Sequence, residues 1–302
     1  MTNSSFGMVD HQVIVVTGSN RGVGKGIVQL LANQQLPRPL IIYATSRSGI
    51  DGGIAVLAPN KVLYRKLDIT SQSSIRSFFG SAVQEKGSID ILINNAAVCH
   101  DHHETCDLAA ETVWTNYGGA RDMCEAFSTQ PTLRPGARIV NVTSGYNNLL
   151  TYGPAVQKAF REANDTDALD KLAASYVDSV RRGPDAQEKD GWGSGARSYK
   201  VSKALINALT IILARHERVL VNCCCPGWCA TEMGAQHKNL KPPKTPEEGA
   251  RVPVRLAIGD LGPRGDESGG LGKESDEVTG HFFENENIMV PGWGKAKLWL
   301  ES

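Results

Sequence analysis

The sequence predicts an α/β fold: a doubly wound parallel sheet with helices on both faces, built from one chain of 302 residues. Three observations carry this prediction. Short β-branched apolar runs alternate along the chain with longer segments of helical periodicity. The first run, Val13-Ile14-Val15-Val16, leads directly into the glycine-rich turn Thr17-Gly18-Ser19-Asn20-Arg21-Gly22-Val23-Gly24 and then a helix. Each later run ends in small or polar residues, and the carboxyl ends of the strands are where an open parallel sheet receives its ligands.

Taken in order, residues 13–16 form the first strand, and Lys25-Gly26-Ile27-Val28-Gln29-Leu30-Leu31 continues an amphipathic helix behind the turn. A strand, a glycine turn and a helix N-terminus bring backbone N–H groups and the helix dipole to bear on a phosphate. Glycines let the backbone approach a pyrophosphate and let the helix pack on its strand. The spacing is GxxxGxG, distinct from the GxGxxG of many dinucleotide binders. A second strand, 40–45, ends at Ser46-Arg47, and a third, 62–67, ends at Asp68-Ile69. Residues 75–84 read as a helix, and a fourth strand, 89–93, ends at Asn94-Asn95-Ala96-Ala97. Residues 105–127 should contain helical segments, although Gly118-Gly119 weakens an unbroken helix. A fifth strand, 138–142, ends at Thr143-Ser144, and a sixth spans 220–225. Residues 259–277, rich in glycine and charge, read as a mobile loop before a final strand at 278–283.

Composition narrows the function. Thirty-two basic residues balance 32 acidic ones, which gives no electrostatic case for nucleic acid or an anionic membrane as partner. No apolar run approaches the length of a membrane span, and residues 1–12 lack the basic start and apolar stretch of a secretory signal. The seven cysteines are odd in number and Cys223-Cys224-Cys225 are consecutive, which fits no ordinary disulfide framework. A reducing, cytoplasmic setting is expected.

Tyr199 and Lys203 carry the chemistry. Four residues apart in an apolar helical run to about residue 217, they place a phenol and an ammonium one turn apart on one face. A phenol of pKa about 10 is a poor proton donor near neutrality until its phenolate is stabilised. A neighbouring ammonium provides that.

The ordered set of motifs resembles the short-chain dehydrogenase/reductase family. The pattern comprises TGxxxGxG from Thr17 to Gly24, the Asn94-Asn95-Ala96 turn, Asn116, Ser144, Tyr199 with Lys203, and Pro226-Gly227. Ala97 stands where the family usually has glycine, a mild departure. The gap of 55 residues between Ser144 and Tyr199 far exceeds the usual dozen or so, and its helical insertion, about 151–195, is similar to that of the monomeric carbonyl reductases. So are the stretches 115–122, 224–228 and 245–250.

The resemblance implies a Rossmann-type domain over residues 1–302 and reduction of a ketone, aldehyde or quinone carbonyl by hydride transfer, with Tyr199 as proton donor. Lys203 would lower the tyrosine pKa and hold the cofactor ribose, Ser144 would bind the carbonyl oxygen, and Asn116 would position a water that relays protons through Lys203. Gly18, Asn20, Arg21, Gly22, Val23 and Gly24 would cradle the pyrophosphate, and Asp68 and Ile69 would flank the adenine. Asn95, Ala96 and Ala97 would line the cofactor, with Pro226, Gly227 and Thr231 at its nicotinamide end and Trp228 in the substrate pocket wall. Charge argues for NADP(H): Ser46-Arg47 stands where NAD-preferring sheets place an acid, and Arg21 adds a second guanidinium for a 2′-phosphate.

No metal is expected. His100-Asp101-His102-His103 and Cys106 lack a second ligand pair at structural-zinc spacing and read as a loop near the substrate mouth. The consecutive cysteines read as strand residues facing alternate sides, with Cys225 and Cys229 near the pocket. Relatives pair through the helices on the catalytic tyrosine's side of the sheet; an insertion covering that surface implies a monomer. A pathway-specific ketoreductase or alcohol dehydrogenase, and a non-catalytic NADP-binding redox sensor, are the alternative functions.

Overall fold

A strand that is apolar on both faces needs cover on both, and the chain meets that need with two layers of helices around one sheet. The structure is a computed structural model that describes residues 10–216, 218–236, 240–259 and 278–301. Its strands are β1 (Gln12–Thr17), β2 (Leu40–Ser46), β3 (Lys61–Lys66), β4 (Ile91–Asn94), β5 (Arg138–Val142), β6 (Leu220–Cys224), β7 (Phe282–Glu284) and β8 (Lys295–Lys297). Its α-helices are α1 (Gly22–Ala32), α2 (Gln72–Lys86), α3 (Cys106–Val113), α4 (Gly119–Ser128), α5 (Pro154–Glu162), α6 (Thr166–Arg182), α7 (Pro184–Lys189), α8 (Ser198–His216) and α9 (Pro246–Ile258).

The sheet order is β3-β2-β1-β4-β5-β6-β7-β8, parallel throughout except for the β7–β8 pair. Alternation along the strands sorts side chains between two cores. Ile14, Val16, Ile42, Ile93 and Cys224 pack against α1 and α9. Val13, Val15, Tyr43, Leu92 and Val221 pack against α2 and α4 on the other face. Cys223 and Cys225 join the core beneath α8 while Cys224 faces the opposite way, the alternation expected of the consecutive cysteines.

The insertion forms α5, α6 and α7. Its aromatic residues Tyr152, Phe160, Tyr176 and Trp192 are buried with Trp299 in mutual edge and tilted contacts, centroids 5.3 to 6.4 Å apart. Helix α6 packs against α3 and α8, so the insertion covers the flank of the helix that carries Tyr199.

Several boundaries differ from expectation, each for a local reason. The fourth strand starts at Ile91, because the Ile89 N–H is taken by the Gln130 side chain at 2.8 Å instead of a neighbouring strand. Gly118-Gly119 does not break the helical stretch. A π-helical segment, Trp114–Gly118, ends at the first glycine and joins α3 to α4, which begins at Gly119. The expected strand at 278–283 is regular only from Phe282, since the Thr279 hydroxyl accepts the Val221 N–H at 3.0 Å. It is also not the last, because β8 follows it antiparallel. The expected loop at 259–277 lies, beyond Gly259, outside the described residues.

Candidate active site

Strand order reverses between β1 and β4, and the carboxyl ends of these two strands part around a crevice. Thr17 holds the crevice together. Its hydroxyl accepts the N–H groups of Asn95 and Ala96 at 2.9 and 3.0 Å, and Asn95 returns a bond to the Thr17 carbonyl at 2.9 Å. Two glycines make the close approach possible. Gly18 has φ of +63°, and a Cβ there would lie 2.8 Å from the Ala96 Cα. A Cβ on Gly24 would collide with the Gly18 carbonyl and the Asn95 amide. The absent side chains leave exposed backbone where an elongated ligand can lie.

A cavity of about 520 Å³ opens there. Of the residues expected to bind cofactor, it is lined by Gly18, Asn20, Arg21, Gly22, Val23, Gly24, Arg47, Asp68, Ile69, Asn95, Ala96, Ala97, Tyr199, Lys203, Pro226 and Thr231. Gly227 is outside the wall, as are Asn116, Ser144 and Trp228. The cavity wall includes the exposed Arg21 and Arg47 together with Tyr199 and Lys203. Arg21 is ion-paired with Glu232, which also lines the wall. The Asp68 carboxyl is held below the usual carboxylate range, chiefly by the Thr70 hydroxyl and N–H, at 2.7 and 3.0 Å.

Lys203 is buried and its Nζ donates to the Val142 carbonyl at 2.9 Å, 5.5 Å from the Tyr199 ring centroid. Loss of water brings its pKa down to about 8, so it remains largely an ammonium near neutrality. Burial pushes the Tyr199 phenol up, and the neighbouring thiols and Asp101 add to that. The phenol is thus a weaker acid than free tyrosine, and burial outweighs the expected lowering by Lys203.

Asn116 lies in the π segment. Its Oδ1 accepts the Val98 N–H at 2.8 Å, and its Nδ2 donates to the Val98 carbonyl at 2.9 Å and the Ser202 hydroxyl at 3.0 Å. Both ends of its amide thus serve protein partners, tying the β4 edge to α8. Ser144 follows β5 and accepts the Tyr146 N–H at 3.2 Å. The loops bearing Ser144 and Trp228 meet at Ile288: its side chain lies 3.3 Å from where a Gly145 Cβ would stand, and its carbonyl accepts the Trp228 N–H at 2.8 Å. Trp228 Nε1 donates to the Gly234 carbonyl at 2.9 Å, which fixes the indole.

The segment at 100–106 serves α8 and its neighbours. Asp101 and Glu104 accept hydrogen bonds at the start of that helix, and His100 pairs with Glu111 at 3.6 Å. Among the described residues no group of three His, Cys, Asp or Glu side chains is placed to hold a metal ion. The sequence reading missed Thr17 as the clasp, Glu232 as the partner of Arg21, and buried Lys244, whose Nζ donates to the Pro226 carbonyl at 2.7 Å. A lysine before a helix N-terminus carries no sequence signal for burial; only the fold turns Lys244 inward.

The fold and this crevice define a class, and sequence comparison agrees with it. A family profile described as short chain dehydrogenase matches residues 12–154. Carbonyl reductase (NADPH) 1 of Oryctolagus cuniculus is 34% identical over 269 residues, covering 82% of this chain and 91% of its own. The Sus scrofa protein of the same name is 33% identical over 303 residues, 94% of each chain. The chain belongs to the short chain dehydrogenase family. Among solved structures, salutaridine reductase from Papaver somniferum shares the fold with a TM-score of 0.70 at 24% identity, covering 91% of this chain and all of that one. The NADPH-bound carbonyl reductase from chicken fatty liver has a TM-score of 0.58 at 22% identity, covering 93% and 99%.

Proposed function

We propose that the chain is an NADPH-dependent reductase of ketone, aldehyde or quinone carbonyls, with Tyr199 as the proton donor. The observation that carries this is one continuous cavity whose wall brings Arg21, Arg47 and the glycine turn together with Tyr199 and Lys203. The arginines suit a 2′-phosphate, the glycine turn a pyrophosphate, and the relatives' name gives the same cofactor.

When bound, NADPH supplies a hydride to the carbonyl carbon. The chain's own residues handle the oxygen. Tyr199 gives its hydroxyl proton to the oxygen as negative charge develops there, and the Lys203 ammonium stabilises the phenolate left behind. Ser144 donates a hydrogen bond to that oxygen. Asn116, with its amide committed to Val98 and Ser202, holds α8 in place and would position a water that relays protons through Lys203. The cysteines, all free thiols, fit a cytoplasmic protein. The insertion over α3 and α8 supports a monomer.

The test is NADPH consumption by purified protein against a panel of quinones, aromatic aldehydes and ketones, with Tyr199→Phe alongside. Turnover should fall by roughly 10²–10⁴-fold in the variant, the usual contribution of a general acid, with NADPH binding intact. Full turnover by Tyr199→Phe would remove the tyrosine from the mechanism.

A further inference from the structure

The first N–H groups of a helix have no partner within it and must be satisfied from outside. In α8, which starts one residue before Tyr199, the partners come from the segment between β4 and α3. Glu104 Oε1 accepts the Ser198 N–H at 2.9 Å and the Arg197 N–H at 3.3 Å. Asp101 Oδ1 accepts the Tyr199 N–H at 3.1 Å and the Ser198 hydroxyl at 2.8 Å. Glu104 Oε1 also receives the Tyr176 hydroxyl of α6 at 3.5 Å. The other end of the same segment, Asn95 to Ala97, lines the cavity. One short stretch of chain therefore touches the cofactor side of the crevice, the insertion, and the backbone of the proton donor.

We propose that Asp101 and Glu104 are positioning residues for Tyr199: together they tie the first turn of α8 to the segment that follows β4, and Asp101 brings its carboxylate to the Tyr199 N–H. The inference rests on the reading of Tyr199 as proton donor. Carboxylates at a helix N-terminus stabilise it through the helix dipole, so the clamp also anchors the turn on which the phenol stands.

The groups that face Tyr199 are Cys99 and Asp101 from this segment, Cys225 and Cys229 from beyond β6, and Lys203 from its own helix. Burial pushes all three thiols up, that of Cys229 to about 12, so they are neutral near pH 7. That leaves the Asp101 carboxylate as the negative charge acting on the phenol at working pH. A nearby negative charge makes a phenol, and equally an ammonium, hold its proton to higher pH. Removing the Asp101 charge therefore lets the Tyr199 phenol lose its proton at lower pH, and an alkaline limb set by that phenol moves downward.

The experiment measures kcat and KM against pH with NADPH and 1,4-naphthoquinone for wild type, Asp101→Asn, Asp101→Ala, Glu104→Gln and Tyr199→Phe. Hydrogen exchange of the peptide bearing Tyr199 is followed in parallel. Asp101→Asn keeps an acceptor oxygen without the charge; its kcat at neutral pH should stay near wild type while the alkaline limb falls by about 0.5 unit or more. Asp101→Ala removes both, and kcat should fall on the order of tenfold or more with faster exchange at Tyr199, while KM for NADPH is unchanged. A superimposable pH profile for Asp101→Asn, or exchange at Tyr199 unaltered in Asp101→Ala, would overturn the proposal. If Asp101→Ala does not fold, the Asn and Gln variants decide it through the profile. Turnover surviving in Tyr199→Phe, or no turnover by any form, would sink the proton-donor reading instead, and the exchange data would still decide the clamp.

Discussion

Lys203 shows how much a single residue's chemistry depends on where its amine ends up. A surface lysine would hold its proton to about pH 10; here burial against the Val142 carbonyl lowers that to about 8. The sign follows directly: below about 8 the ammonium is present to stabilise a phenolate, and above it that help is lost. kcat/KM for reduction should therefore fall as pH rises past about 8. Lys203→Arg, always charged, should keep NADPH binding but move that limb upward if turnover survives. The arginines invite a second prediction. Arg47→Ala should raise KM for NADPH by about 10- to 100-fold, the worth of a charged hydrogen bond, and leave KM for NADH nearly unchanged. Equal effects on the two cofactors would place Arg47 away from the 2′-phosphate.

At the scale of elements, the insertion is held by aromatic packing. Trp192 is 1% exposed and touches Tyr152, Phe160 and Tyr176. Trp192→Ala should cost about 3–5 kcal/mol of stability, read as a lowered denaturant midpoint, because the cavity left behind cannot collapse onto so many fixed rings. A loss below about 1 kcal/mol would mean that the insertion folds independently of this cluster. The π segment is the other telling element. It sits where Asn116 must bond both Val98 and Ser202, and a residue inserted into the helical repeat turns the amide toward both. Periodicity in the sequence could locate helical content there but not a one-residue change of pitch.

For the whole molecule, the prediction concerns assembly. Helix α6 lies on α3 and α8, the flank through which a partner would otherwise reach the helix that carries Tyr199. Sedimentation at micromolar concentration should give a single species near 32.5 kDa, and a stable dimer or tetramer would show that another face mediates pairing. Most of the architecture was legible in advance. Strands β1, β2, β5 and β6 fall within a residue of expectation because each is a mostly apolar run bounded by polar turns, and the more polar β3 does so around Val62, Leu63 and Tyr64. The glycine turn was equally legible, since its spacing encodes backbone geometry that other residues cannot adopt. The last strand was not, because β8 is a polar edge, Lys295–Lys297, with an exposed-intermediate-exposed pattern and no apolar run to mark it.

By itself, the sequence determined what is local or written in residue type. That includes the alternation of strands and helices, the glycine-rich turn after β1, and the Tyr199–Lys203 pair one helical turn apart. Only the tertiary structure decided which distant groups meet: Thr17 with Asn95, Arg21 with Glu232, Lys244 with Pro226, and Asp101 and Glu104 with the first turn of α8. The physical reason is range. Propensity and periodicity act over a few residues, whereas burial, and the hydrogen bonds it makes obligatory, act between any residues the fold brings together.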